Sequence, residues 1–328
     1  MQRLDETNAK EIAPTFLADL FREHRQFLWG VCYRMTGSAA DAEDLVQETF
    51  VRALERPPGR PDEPWRPWLV RVAMNLARDW LRRRKRRAYV GPWLPAPIET
   101  GDEVSPPAFE PAVDGEHTTE GRYDLLESVS FAFLLALEAL TPQQRAVLLL
   151  RDVFDYSVRD TAAALAMSEP NVKTTHHRAR QAMHAYDRTR CVPTRELQDR
   201  TREALAQFMT SLLSGDVPAI EAMLADSVHA LSDGGGEFFA ARKPLIGRER
   251  VIRFHWNLWR RRMEGARFAA RMINGLPAVI GEFQTGKPGE PPRLVFRCDI
   301  DAQGRITALH SVVTTRKLAA IDFAHVAS

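Results

Sequence analysis

The sequence predicts two all-α units joined by a proline-rich linker and followed by an α+β domain. Apolar side chains recur every three or four residues over 15–87 and again over 124–187, the period of helices with one buried side. Between those stretches, prolines at 92, 95, 97, 106, 107 and 111 abolish any period. Beyond residue 195, amphipathic helices lead into strand-like runs separated by the turn signals Asn274-Gly275 and Gln303-Gly304.

At 328 residues the chain is long enough for two or three separate cores. Lys and Arg number 45 against 43 Asp and Glu, so any site for a polyanion must be a local patch. Cys32, Cys191 and Cys298 lie far apart, fit neither a disulfide framework nor a metal spacing, and read as free thiols. The N-terminus is polar and acidic, unlike a signal peptide, and no apolar run approaches the ~20 residues that cross a bilayer. A cytoplasmic protein with no membrane association is expected.

In the first unit, Phe16, Leu20, Phe27, Leu28 and Val31 form an apolar stripe, and Gly37-Ser38 marks a turn. Leu45, Val46, Thr49, Phe50 and Ala53 are the buried side of the next helix, which leaves Asp41, Asp44, Gln47 and Glu48 outward. Asp41 suits the positive end of that helix; Glu48, further along, does not. After the Pro/Gly loop at 55–64, the stretch 65–87 concentrates positive charge. Trp65, Trp68, Leu69, Val72, Ala73, Leu76 and Trp80 line one side of a helix, and about 100° per residue puts Arg71, Asn75, Arg78 and Arg82 on the other. No acid interrupts the cations after Asp79, which favours a polyanion over a merely solvated face.

The linker, 88–124, reads as extended and long enough to let two domains sit apart. Within it Trp93-Leu94-Pro95 is apolar, and either packs somewhere specific or is an isolated apolar spot. The second unit starts with a core helix over 125–140, and Thr141-Pro142 opens the next. Ser157 and Ser168 cap two short helices around an Ala166-Met167 turn, the pattern of a helix-turn-helix. On its second helix Val172, His176, Ala179 and Met183 point inward. Thr174, His177, Arg178 and Gln181 point outward with Lys173 and Arg180 on the flank, able to donate to base edges or phosphates. His176-His177 is no metal pair, because adjacent residues on a helix face different ways.

In the last domain a strand over 227–233 is broken by Gly234-Gly235-Gly236, and a helix is expected over 246–262. Four later runs form a meander, and a curved sheet wrapped on helices makes a cone whose mouth has room for a small ligand. Asp233, His229, His255 and His310 are the acid–base candidates there, supported by composition alone; buried structural histidines are the commoner case.

The stretches RMTGSAADAEDLVQETFVRAL and PWRPWLVRVAMNLARDWLRRRKRR resemble region 2 of extracytoplasmic-function sigma factors, the promoter-recognition subunits of bacterial RNA polymerase. LTPQQRAVLLLRDVFDYSVRDTAAALAMSEPNVKTTHHRARQAM resembles their region 4, and the remainder resembles the SnoaL-like extension of one subset. WLPAP and Asp233 to Gly236 match that subset's linker and Asp-Gly-Gly-Gly motifs, with Ala96 standing where an acid is usual and Glu237 where a lysine is usual. The implied fold is a region 2 bundle (10–87), the linker (88–124), a region 4 helix-turn-helix (125–187) and a SnoaL-like α+β cone (195–321). The resemblance assigns Asp44, Gln47 and Glu48 to the β′ clamp helices of core RNA polymerase, with the β flap as the other polymerase partner. It assigns Asn75 and the 56–65 loop to a flipped base of the −10 element, with Trp65 as wall and Arg71, Arg78, Arg82 and Arg83 on phosphates. Lys173, Thr174, His177, Arg178, Arg180 and Gln181 would read the −35 element in promoter DNA. Trp93, Leu94, Pro95, Asp233, Gly234, Gly235 and Gly236 would make regulatory contacts between domains. The reading implies no cofactor, no metal and no catalytic residue. Two other functions are open to the chain: a helix-turn-helix regulator with a ligand-sensing cone, which leaves the tryptophan-rich helix and its acidic neighbour unexplained, and a fused cyclase-like enzyme, which requires turnover by residues 195–328 alone.

Overall fold

The structure is a computed structural model that describes residues 14–59, 64–86, 89–101, 122–262, 265–284, 288–324 and 326. Helices α1 (Pro14–Thr36), α2 (Ala39–Glu55) and α3 (Trp65–Arg86) make the first bundle. Gly37 ends α1 with a positive φ of 67°, and Ser38 caps α2 by accepting from the Asp41 amide. The second unit comprises α4 (Phe131–Ala136), α5 (Pro142–Asp152), α6 (Val158–Leu165) and α7 (Glu169–Asp187). The single helix expected over 125–140 is instead one short α-helix between two 3-10 turns. Ser130 is extended and its hydroxyl caps a fresh start by accepting from the Phe133 amide, which breaks the run. The Thr141/Gln144 capping box starts α5, and Ala166 turns the chain between α6 and α7 at φ 52°.

The linker leaves these units together rather than apart. One apolar core takes Leu28, Val31 and Val46 from the first unit and Leu134, Leu149 and Val172 from the second. Two buried arginines stitch it. Arg34 donates to Ser128 Oγ (2.6 Å) and the Leu125 carbonyl (3.0 Å). Arg145 donates to the Met35 and Leu137 carbonyls (2.9 and 2.6 Å). Each guanidinium satisfies carbonyls that burial would otherwise leave unpaired.

Helices α8 (Arg195–Ser214), α9 (Val217–Met223) and α10 (Arg248–Arg262) pack on a six-stranded sheet: β1 (Leu224–Asp233), β2 (Leu245–Ile246), β3 (Arg267–Ile273), β4 (Leu276–Glu282), β5 (Arg293–Ile300) and β6 (Ile306–Val312). The strand order is β2-β1-β6-β5-β4-β3, antiparallel except where β1 runs parallel to β6. The helix expected from 246 begins two residues later because Leu245 and Ile246 pair with β1. Nearly every residue of β4 is buried, since both faces of the sheet are covered. Phe208, Val251, Trp259 and Phe296 fill the helix side. Leu94 of the linker, Phe131 of α4 and the tail residues Leu318, Ile321 and Phe323 fill the other. Among the described residues no helix is long and apolar enough to cross a membrane. Linker residues 102–121, and residues 10–13 and 87–88 of the expected domains, lie outside the described residues.

The β3–β4 turn is the Asn-Gly pair, with φ 52° at Asn274 and 80° at Gly275. Its Asn274 side chain, 1% exposed, also joins three segments. It donates to Tyr33 Oη of α1 and to the Val129 carbonyl, each at 2.7 Å, and accepts from the Ile98 amide of the linker at 3.1 Å. Asn274→Gly keeps the positive φ while removing these bonds. We expect it to lower unfolding stability by about 2–3 kcal/mol in urea denaturation, with Asn274→Asp worse because it turns an acceptor on a carbonyl. Wild-type stability in Asn274→Gly would refute this role.

Candidate nucleic-acid interface and its interdomain clasp

Helix α3 carries the expected base-reading face. Asn75 is exposed, and its Oδ1 accepts from Arg78 Nη1 at 3.3 Å. Arg78 also donates to the Leu165 carbonyl (3.4 Å), so the C-terminal end of α6 lies against this face. That covering half-buries Arg78, and burial together with neighbouring Arg82 lowers its pKa. The buried arc of α3 also takes in Val70, Met74 and Ala77, beyond the stripe read from the sequence. Arg82 pairs with Asp79 (2.7 Å), Arg83 is exposed and Arg71 is half-buried. Trp65 begins the helix, with its ring 5.7 Å from Phe16 and 6.0 Å from Trp68. Residues 60–63 of the expected base-holding loop lie outside the described residues. Arg84 leaves the face entirely: it lies over the Trp93 ring (4.3 Å) and pairs with Glu138.

On α7, Lys173, Thr174, His177, Arg178 and Gln181 are exposed on one side, while Val172, Ala179 and Met183 are buried. Arg180 is only part of that surface. It donates to both oxygens of buried Asp152 (2.6 and 3.1 Å), beside His176 Nε2 at 2.8 Å from the same carboxylate. Burial opposes charge on Asp152, but hydrogen bonds from His176 and Arg180 outweigh it and hold the carboxyl below its usual pKa. This cluster fixes α7 on α5, so the outer row is presented by a rigid support.

The acidic row of α2 is exposed at Asp44, Gln47 and Glu48. Glu48 pairs with Arg52 one turn along (3.0 Å). Asp44 is met from the far end of the chain, because Arg316 reaches Asp44 at 2.5 Å and Asp41 at 2.9 Å. Arg316 stands on a 3-10 turn, Thr315–Leu318, directly after the last strand.

The same turn completes a clasp around Asp233, whose side chain has no exposed surface. Oδ2 accepts from Lys317 Nζ (2.6 Å) and the Leu94 amide (2.7 Å); Oδ1 accepts from Tyr89 Oη (2.5 Å) and the Gly235 amide (3.1 Å). Lys317 also donates to the Leu94 carbonyl (2.6 Å) and lies over the Trp93 ring at 4.5 Å. Burial lowers its pKa while Asp233 opposes that shift. Gly234 is required by a close approach, since a Cβ there would meet the Phe238 carbonyl oxygen at 2.6 Å. Gly235 and Gly236 both have positive φ, with Gly236 against Val90 of the linker.

Trp93-Leu94-Pro95 therefore packs specifically. Leu94 is fully buried, and a Cβ on Gly37 would strike the Trp93 ring at 2.5 Å. Ala96, where an acid is usual, is also fully buried, bonded through its amide to the Gly37 carbonyl and through its carbonyl to Tyr33 Oη. Glu237 takes up the Thr315 amide (3.0 Å) and hydroxyl (2.5 Å), so the acid at this position braces the turn bearing Arg316 and Lys317. Nothing in the sequence marked Arg84, Asn274, Arg316 or Lys317 as interdomain residues.

The acid–base candidates do not converge. Asp233 is consumed by the clasp. His310 lies 6.2 Å from His229 between ring centroids and contacts Arg297. His255 sits on α10 against the other face of the sheet. Burial pushes both His255 and His310 down to about 4. Among the described residues no cluster of His, Cys, Asp or Glu could hold a metal ion.

Comparison with known proteins places this geometry. Residues 20–87 match Sigma-70 region 2 and residues 130–183 match Sigma-70 region 4. The ECF RNA polymerase sigma factor SigJ of Mycobacterium tuberculosis is 31% identical over 272 residues, 82% of this chain and 81% of its own length. The probable ECF RNA polymerase sigma factor SigI of the same organism is 28% identical over 301 residues, 89% of this chain and 91% of its own. The crystal structure of Mycobacterium tuberculosis SigJ superposes with a TM-score of 0.68 at 25% identity, covering 92% of this chain and 98% of that one. With both promoter-recognition regions in order, and a relative that follows it through the sheet domain, this chain belongs to the extracytoplasmic-function sigma factors of RNA polymerase that carry a C-terminal extension.

Proposed function

We propose that this sigma factor rests in a closed form, held by its own C-terminal extension, and must open to engage core RNA polymerase and a promoter. The observation that carries the reading is Arg316 of the extension seated on Asp41 and Asp44, beside the row expected to meet the β′ clamp helices. Two others support it: α6 leans on Arg78 of the base-reading face, and the Asp233 clasp grips the linker that must span the two promoter elements.

In the open form, Asp44, Gln47 and Glu48 dock on the clamp helices. Asn75 offers an amide to an unpaired −10 base beside Trp65, and Arg71, Arg78, Arg82 and Arg83 neutralise the strand. Lys173, Thr174, His177, Arg178 and Gln181 enter the −35 major groove, with Arg180 bracing α7 through Asp152 and reaching phosphate with its exposed edge. Region 4 meets the β flap. The extension is regulatory in this reading, because its one buried acid near the glycines holds the linker rather than a substrate.

The exposed pair and the buried clasp differ in size. Arg316→Glu removes a surface contact worth about 0–1 kcal/mol and sets a like charge beside Asp41 and Asp44 for a similar amount, so apparent affinity for core polymerase should rise no more than about thirtyfold. Asp233→Asn leaves Lys317 buried without its counter-ion, a loss of about 3–5 kcal/mol, and should shift the chain strongly to the open form. Promoter output in a purified system at limiting sigma factor should rank Asp233→Asn above Arg316→Glu above wild type. Equal output from all three defeats the closed-form reading.

A separate measurement isolates promoter opening. Asn75→Ala should leave polymerase affinity unchanged and reduce formation of the unpaired −10 complex by about tenfold, as for one lost base-reading contact of ~1–3 kcal/mol. Undiminished opening would remove Asn75 from the base-reading role.

A further inference from the structure

The extension carries a cationic face of its own. Residues 242–262 hold eight Arg and Lys against a single acid, Glu249, in a chain whose totals are 45 and 43. At about 100° per residue, Arg250, Arg253, Asn257, Arg260 and Arg261 fall within one arc of α10, and all five are exposed. The opposite side of the helix, Val251, His255 and Trp259, is buried. Among the described residues no acid pairs with Arg250, Arg260 or Arg261, and Arg253 has only Glu249, at 3.5 Å on the surface. Cations in the last turn suit the negative end of a helix, which accounts for Arg260 and Arg261. It does not account for Arg250, which stands near the positive end, one turn from the like charge of Arg253.

The charge is continuous with the first bundle. Helix α3 ends in Arg83, Arg84, Lys85 and Arg86, and in the linker just beyond it a Cβ on Gly91 would lie 3.8 Å from the Arg242 backbone. Arg242 and Lys243 are exposed at that contact, and α10 begins at Arg248.

We infer that the outer face of α10, joined to the end of α3 by Arg242 and Lys243, binds the phosphates of duplex DNA and gives the extension a sequence-independent hold on the promoter. From Arg250 to Arg261 the row spans about 16 Å at ~1.5 Å per residue, longer than the ~12 Å width of the major groove, so arginines at its two ends reach both backbones. Guanidiniums bond phosphate oxygens in pairs, and each phosphate neutralised releases counterions. An anionic membrane is the poorer match. A helix lying in a bilayer interface sinks its apolar side into lipid, whereas here His255 and Trp259 already pack on Phe296 and Phe268 of the sheet. The face belongs to α10, so it stands whether the clasp is closed or open and whichever residues read the −10 and −35 elements.

The probe is a fluorescein-labelled duplex of about 30 base pairs without promoter elements, titrated with the full chain over a range of salt. Changing Arg250, Arg253, Arg260 and Arg261 together to Gln should flatten the slope of log affinity against log salt by about 3 and weaken binding at least about tenfold at ~0.1 M salt. The same four changed to Lys keep the charge and should keep the slope. Arg250→Gln with Arg253→Gln, a milder pair at exposed positions, should remove about half as much. An unchanged slope in the Gln variants, or a Lys variant as weak as the Gln one, would overturn the proposal. So would loss of binding to phosphatidylglycerol vesicles with duplex binding intact, which would give the face to lipid instead. Because the duplex carries no promoter element, an error in the −10 assignment would show in the opening assay of Asn75→Ala and leave this slope unmoved.

Discussion

Asp233 has no exposed surface, and its two oxygens receive Tyr89, Leu94, Gly235, Thr314 and Lys317. A carboxylate offers about four lone-pair sites, so this one is saturated. Lys317 balances the charge, and desolvating both ions offsets much of their attraction. What the group contributes is placement. It is satisfied only when the linker, the end of β1 and the turn after β6 lie together, so the position of the extension follows from one buried acid. Removing any of these three segments would leave a charge buried without its hydrogen bonds.

The contacts between the domains are graded in strength from inside to outside. Asn274, Arg34 and Arg145 each satisfy buried groups on a different segment, and such bonds contribute about 0.5–1.5 kcal/mol apiece. Arg316 on Asp44 is an exposed pair, in the range of about 0–1 kcal/mol and weakened further by salt. On the proposed reading, the row that polymerase must reach is touched at Asp44 by an exposed, weak contact, while the promoter-spanning linker is held by a buried one. A partner binding the acidic row can displace Arg316 without first breaking the core, after which release of the clasp is the costlier step.

Periodicity made the helices of both units legible, and alternation with turn residues did the same for the meander. Where local chemistry competed with periodicity, the reading failed: Ser130 divides the run at 125–140 because its hydroxyl caps a new helix start. The exposed rows on α3 and α7 emerged largely where the wheel put them, with Arg71 half-buried and Arg78 and Arg180 drawn partly inward by Leu165 and Asp152. Trp93-Leu94-Pro95 and the glycine triplet stood out as unusual stretches, but only their family resemblance linked them. The contact itself spans 139 residues of chain, a separation that no helical or strand period reports.

By itself, then, the sequence determined the element types, the cationic and acidic faces and the glycine turn, because each depends on neighbours a few residues away. Tertiary structure decided which of those faces are covered and by what. Arg316 looked like one more basic residue near the C-terminus, and Asn274 like half of a hairpin turn, until folding set the first on Asp44 and the second on Tyr33. Partners of that kind are chosen by where distant segments come to rest, and burial converts an ordinary polar side chain into one that must find a specific counterpart.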